Sequence, residues 1–439
     1  MRIDLHAPTR AESWLSAMEA GARDGLARLA QREASRLGLR FVRSEGPRDI
    51  PLVLSPVALP RAQLDELGRS ARLLTSALVK VARDVIERRP ERARLLFAHL
   101  SALEERALAS RWREAEELLI ARVDWFVDRA GSLRALEINA TIPAMPVYSD
   151  AAARGWLSAA APARAAALAA SNGSNAAWLV DAILAAASRA GRELDVQILH
   201  RERDPQISEL ESLAALLERR GARARTVTPA QVALGGAGVI YRHLFARYVE
   251  PDTALGAALL DPVRHGIWNR VDGWLEVKGL FAELSSAAAE RPALFDADEL
   301  AALRAHVPWT RLLDDAAEAD LARGIVLKKS NDYGGKSVLV GRDVGAAELQ
   351  AALAAARRDP PGTWVVQELV DSPAAARWIC REGGAERLPL HLDISTYASL
   401  VPGVPVGGSV CRGAPGSVVN IVGGGGVAPL FAERSESVV

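Results

Sequence analysis

Residues 121–139 read Ala121-Arg-Val-Asp-Trp-Phe-Val-Asp-Arg-Ala-Gly-Ser-Leu-Arg-Ala-Leu-Glu-Ile-Asn139, and their alternation decides the fold. Val123, Trp125 and Val127 supply an apolar face on one strand, and Leu136 and Ile138 supply it on a second. Residues two apart on a strand share a face, so Arg122 lies beside Asp124 and Glu137 beside Asn139. A two-residue tip at Ala130 and Gly131 sets Asp124 opposite Glu137 and Arg122 opposite Asn139. Three oxygen donors and a guanidinium then share one patch, a donor set that suits Mg²⁺, which keeps several waters and bridges to phosphates. The competing reading is a solvated polar face on an edge hairpin, and on this stretch alone the two stand level.

Working outward, lysine usage breaks the tie. Only five of the 54 basic residues are lysine: Lys80, Lys278, Lys328, Lys329 and Lys336. Four lie within residues 278–336. A compact ammonium on a flexible stem does what a guanidinium does not, so retained lysines beside Gly334 and Gly335 point to a polyphosphate site. Residues 325–340 read as an apolar strand ending in lysine, a glycine-containing loop able to cradle phosphates, and another apolar strand. The spacing is not Walker A, and a strand follows where that motif needs a helix. Residues 364–370 predict a further strand, whose extended backbone through Gln367, Glu368 and Leu369 is placed to pair with an adenine edge. Glu368 or Asp371 would take a ribose hydroxyl. The run Gly423 to Gly426 reads as an exit loop, and His391 as a structural histidine.

Composition narrows the class. The 439 residues carry 54 acidic and 54 basic side chains, a formal net charge of zero. That offers no lasting basic excess for nucleic acid or an anionic membrane. Two cysteines, Cys380 and Cys411, are too few for a disulfide framework or zinc site. Residues 1–9 lack the apolar run of a signal peptide, and residues 394–411 read as strand-turn-strand. The expectation is a cytoplasmic protein.

The remaining pattern is mixed. Residues 10–120 read as mostly helical, with one long helix at 61–89 stopped before Pro90 and a second from 92 towards 119. Ala-rich helix fills 151–191, interrupted at 171–175. Strands at 195–199, 224–227 and 238–242 alternate with helices at 207–220 and between the last two strands, which predicts a small parallel α/β unit. Helical segments follow to 321. Strands are expected at 325–328, 337–341, 363–370, 390–400 and within 404–422.

In the order of these parts the chain resembles the circularly permuted ATP-grasp ligases, the glutathionylspermidine synthetase family. There an Arg-x-Asp strand precedes a Glu-x-Asn strand, and lysines, a glycine-rich lid and a Gln-Glu hinge follow a small α/β domain. The match runs through most of residues 115–430. The resemblance implies an α/β (α+β) fold divided as 1–150 (helical region plus metal hairpin), 151–265 (pre-ATP-grasp domain) and 266–439 (ATP clamp and lid). It implies Mg²⁺, two ions, on Asp124, Glu137 and Asn139, and ATP held by Lys278, Lys328, Lys336, Gly334, Gly335, Gln367, Glu368 and Leu369. Arg122 and Arg412 would act on the developing phosphate charge. Lys329 departs from the family, which usually has proline there; the amidase domain that precedes the synthetase in some members is not expected in these residues, and residues 10–105 match no motif.

The implied activity is ATP-dependent joining of a carboxylate to an amine through an acyl-phosphate, with small-molecule or peptide substrates and neither nucleic acid nor membrane as partner. Two rivals share the site: a phosphotransferase without a second nucleophile, and a non-catalytic ATP-binding partner. Arg201, Asp204, Tyr241 and Arg242 sit at strand ends of the α/β unit, where open sheets bind ligands.

Overall fold

The computed structural model describes residues 2–111, 118–321, 324–332, 335, 337–421 and 423–433. The chain is a mixed α/β protein, as expected. Its central element is an antiparallel sheet in the order Gly426–Ala428, Ser409–Ala414, Gly384–Ala398, Ala121–Val127, Leu133–Asn139, with Ala375–Arg381 paired to the first half of the long strand. One face is apolar: Val123, Trp125, Val127, Leu133, Leu392 and Ile394 bury against the helix Arg61–Arg88. That helix presents Leu67, Leu74, Leu78, Val81 and Val85 at intervals of three to seven residues, one stripe of a 3.6-residue helix. Each such side chain contributes about 1.5–3 kcal/mol on burial. The helix stops where Arg89 leaves helical dihedrals, and Pro90 opens the next one at a position that needs no N–H.

A second antiparallel sheet runs Thr310–Leu312, Trp364–Glu368, Ile325–Lys329, Val338–Val340. It has its own small core of Leu313, Leu321, Ile325, Leu327, Leu353 and Val366. The third sheet is parallel, in the order Arg223–Val227, Asp195–His200, Val239–His243, Ile267–Trp268. This is the α/β unit expected from the alternation, extended by a short fourth strand.

Several expectations need correction. The helix expected from 92 towards 119 is two helices, Pro90–Leu96 and Ala102–Arg111, and residues 112–117 lie outside the described set. The break is chemical: Glu104 reaches back to Ser101 N and Oγ at 2.9 and 2.7 Å, capping a fresh helix. Residues 40–49 form a hairpin, not helix, and the segment between 227 and 239 contains turns where a short helix was expected. The glycine run is only partly an exit loop. Gly426 begins a buried strand, and a Cβ there would lie 2.4 Å from Pro51 O, so backbone approach requires glycine.

The same geometry occurs at Gly155, where the helices Ala20–Arg36 and Pro146–Ala160 touch. A Cβ at 155 would lie 2.6 Å from both Cβ and N of the fully buried Ala34. Alanine is the better helix former by about 1 kcal/mol, but overpacking costs about 1–3 kcal/mol. Gly155→Ala should therefore lower stability, read as an earlier urea midpoint; an unchanged or later midpoint would contradict this close crossing.

Candidate active site

The expected register of the hairpin is present, reached by a different route. Arg122 pairs with Asn139 and Asp124 with Glu137, but the strands end at Val127 and Leu133. The connection is the five residues 128–132, not a two-residue tip. Asp128 Oδ1 accepts from Ala130 N and Ser132 N at 2.9 and 2.8 Å, and Gly131 takes φ +80°. A bulge beside Asp124 and Trp125 restores the pairing. Its consequence is that Leu136 turns with Glu137 into the cleft instead of joining the apolar face, a correction to the strict alternation.

The polar face carries Arg122, Asp124, Glu137 and Asn139 from the hairpin. Asp393 and Arg412 join them from the next two strands, where they pair directly. Asp124 is buried. Arg122 grips it with two bonds, Nε to Oδ1 at 2.7 Å and an Nη to Oδ2 at 2.9 Å, and Arg412 adds a third at 3.1 Å. Burial alone would push the Asp124 carboxyl up, but the two guanidinium groups outweigh it and hold it at about 2. Arg412 also pairs with Asp393, whose carboxyl burial pushes up to about 6 against that attraction. Asn139 Nδ2 lies 3.4 Å from Asp124 Oδ2 and 3.5 Å from Glu137 Oε1. Glu137 is the open member: its side chain is 31% exposed, and Lys278 Nζ is 3.5 Å from Oε2. Burial works against its charge, Lys278 works for it, and the carboxyl ends below its usual range.

Across the cleft the strand runs one residue past the expected end, to Lys329, and Lys328 lies buried within it with Nζ 2.8 Å from Gln367 Oε1. Burial lowers the ammonium to about 8 despite Glu137. Lys329 points to Asp359 at 3.8 Å and over the Trp364 ring at 5.2 Å. Lys278 opens the helix Lys278–Glu290 and donates to Asp332 O. The cleft between the two antiparallel sheets encloses about 180 Å³ and is lined by both sets of groups, together with Gly335 and Leu369. Lys336 and Gly334 lie outside the described residues. Ser330 is a buried anchor at the start of the glycine-containing loop: its backbone O and its Oγ accept from Lys278 N and Gly279 N, and its N donates to Thr363 O.

Two details correct the adenine expectation. The N–H groups of Glu368 and Leu369 already donate to Trp309 O and Gly324 O at 2.8 and 2.9 Å. Asp371 is tied to Arg129 and Arg342 and is not among the cleft-lining residues, leaving Glu368 as the carboxylate there. Asp393 was missed because it sits inside an apolar strand, although its pairing with the singled-out Arg412 is a two-strand register.

Behind the hairpin, Glu209 is buried and accepts Met145 N and Val147 N at 3.1 and 3.0 Å. It thereby holds Met145 at φ +88°, one of three described non-glycine residues with positive φ. Burial pushes its carboxyl from the usual 4.5 to about 7. A raised acid stabilises the fold below about pH 4.5, and that stability is lost as pH rises through about 7. The loss is on the order of 3 kcal/mol. Glu209→Gln should flatten the stability profile over that window in pH-dependent urea titrations; a slope equal to the parent's would sink the assignment.

Among the described residues no group of three or more His, Cys, Asp or Glu side chains forms a metal centre, so any hard cation here relies on Asn139 beside the carboxylates. No described helix is long and apolar enough to cross a membrane. No family model and no curated protein matches the chain. Among solved structures, a glutathione synthetase-like effector from Globodera pallida, in apo form, aligns with TM-score 0.65 and 11% identity. The alignment covers 95% of this chain and 98% of that one, so the two share their overall fold.

Proposed function

We propose that the chain is a circularly permuted ATP-grasp ligase that joins a carboxylate to an amine at the expense of ATP, with the three-part division 1–150, 151–265 and 266–439. The observation that carries this reading is the convergence of Glu137, Asn139 and Asp124 from one sheet with Lys278, Lys328 and Gln367 in a single cleft between two sheets. The likeness to a glutathione synthetase-like protein supports the fold side of it.

The residues fit the groups the reading requires. Glu137 and Asn139 offer hard oxygens to the cleft, and Asp124 stands behind them with its charge shared between two arginines. They would hold Mg²⁺, which offsets phosphate charge when bound. Lys278 and Lys328 would hold the phosphates of ATP, and Gln367 fixes Lys328 by its 2.8 Å bond. With both backbone N–H groups spent, the adenine edge would meet carbonyls at Glu368 and Leu369.

Chemically, a substrate carboxylate oxygen attacks the terminal phosphorus and ADP leaves. An amine then attacks the acyl carbon, loses its proton, and expels inorganic phosphate. Arg122 and Arg412 would act on that developing charge, already oriented by Asp124 and Asp393. The test is ATP turnover with panels of acids and amines, followed by mass spectrometry. Equal ADP and phosphate release that needs both substrates, with a condensation product, supports a ligase. ADP release without free phosphate indicates phosphotransfer, and no ADP release at all indicates a binding protein.

A further inference from the structure

A second cavity of about 460 Å³ lies against the first and shares Arg122, Asn139, Arg412 and Asn420 with it. Its far wall comes from the loop after the hairpin, residues 142–145, and from the ends of the parallel strands. On the reading of the cleft as a ligase site, we propose that this chamber is the amine site and that it takes a monoamine with an aromatic or branched apolar body.

Charge comes first. Arg122 and Arg412 are neutralised by Asp124 and Asp393. Of the remaining charged lining, Arg201 lies 3.8 Å from Asp204 and is 43% exposed, whereas Asp204 is buried. Glu276 is a further carboxylate on the wall. Its Oε1 accepts Ala140 N and Thr141 N at 3.0 and 2.7 Å, which places it directly after Asn139 and beside the shared wall. Behind it, Arg242 donates to the carbonyls of Asn269, Leu244 and Arg270, and its charge is shared among Asp272, Glu276 and Glu104, three carboxylates for one cation. Burial lowers the His243 imidazole to about 4, so it adds no positive charge at neutral pH. On the wall itself one carboxylate is therefore in excess, which favours a single cation.

The rest of the lining is apolar. Phe41, Phe245 and Tyr248 form an aromatic wall, with Phe245 and Tyr248 edge-on at 6.2 Å. The ring faces already carry guanidinium groups, Arg201 over Tyr248 at 5.8 Å, Arg247 over Phe245 at 4.9 Å and Arg43 over Phe41 at 4.9 Å, so this wall suits an apolar body and not an ammonium. A second ammonium on the same ligand would face this wall without a partner, at a desolvation cost. An independent sign of a polar ligand is Tyr148. It is 2% exposed, lines the chamber, and its hydroxyl has no hydrogen-bond partner among the described residues. Met145, in its left-handed conformation, lines the same chamber, and strained backbone of that kind gathers at ligand sites.

The experiment is calorimetric titration of the full chain with phenethylamine, without nucleotide, beside 3-phenylpropionate and spermidine. Phenethylamine should bind, the isosteric acid should not, and spermidine should bind no tighter. Asp204→Asn and Glu276→Gln should each weaken phenethylamine about tenfold or more. Tyr248→Ala, at a side chain 49% exposed and so harmless to the fold, should weaken it severalfold. Tighter binding of the acid or of spermidine, or parental affinity in both carboxylate variants, overturns the proposal. Phenethylamine binding with no amine-dependent ADP release refutes the ligase reading and leaves the chamber assignment standing. Amine-dependent ADP release with no phenethylamine binding refutes the chamber assignment alone.

Discussion

Glu137→Ala should lower ATP turnover by roughly 10²–10³-fold, the range seen when one preorganised charge-stabilising group is removed, while leaving the fold intact. The two halves of that expectation come from different features of one residue. Glu137 is the carboxylate of the hairpin that reaches open space: it is 31% exposed, and its ion-pair partner is Lys278 at 3.5 Å. It lies on the edge strand of its sheet, so truncation opens no cavity in the core. A pair of that length and exposure is worth at most about 1 kcal/mol, and its loss also relieves repulsion between Glu137 and Asp124. Melting within a few degrees of the parent should therefore accompany the loss of turnover. Turnover near the parent's in a folded Glu137→Ala protein would remove the cleft from consideration as a phosphate-transfer site. Asp124→Ala is the contrasting variant. It strands Arg122 without its buried carboxylate and leaves Arg412 with Asp393 alone, a change expected to cost several kcal/mol of stability, so its inactivity would say little about chemistry.

The contrast between these two acids bears on what a sequence makes legible. The period-2 pattern of residues 121–139 was enough to place Arg122, Asp124, Glu137 and Asn139 on one face, because burial of Val123 and Trp125 at 0% exposure leaves the other residues no choice. It was not enough to distinguish Asp124, locked between two arginines, from Glu137, since that depends on Arg412, 288 residues away in sequence. Loop length was illegible for a related reason. A bulge compensated for the five-residue connection, so two errors in the turn cancelled in the register.

Other omissions have physical causes. The strand Ala375–Arg381 lacked an alternating signature because Arg377 is buried, its charge spent on Leu5 O and Ala7 O at 2.7 and 3.0 Å. Buried charge satisfied by distant carbonyls looks like a surface residue until the partners are known. The second chamber was visible only as Arg201, Asp204, Tyr241 and Arg242 at strand ends. Of these, Arg201 and Asp204 line it, while Tyr241 and Arg242 are buried in the wall behind.

Lys328 and Lys329 provide the second large expected effect, because neighbouring lysines on one strand face opposite ways. Lys328 is buried against Gln367, whereas Lys329 is 42% exposed and engages Asp359 and Trp364. Lys328→Met should reduce kcat/KM for ATP by roughly 10²-fold, about 3 kcal/mol, and Lys329→Met by no more than about threefold, as for an exposed ion pair. The reverse order would mean that the strand is phased one residue away from the cleft. The depressed Lys328 ammonium adds a pH signature. Burial has lowered it from 10.5 to about 8, so in the folded chain it holds its proton less tightly than in the unfolded chain. Stability should consequently rise between pH 8 and 10.5 from this group, and Lys328→Met should remove that rise. Phosphate binding reverses the shift by supplying negative charge, so nucleotide binding near pH 8 should take up protons. Titrations in buffers of different ionisation enthalpy measure that uptake, and a parent-like uptake in Lys328→Met would assign it to another group. An apo protein that is no less stable without Lys328, yet no longer turns over ATP, is the outcome expected of a lysine retained for a phosphate and not for the fold.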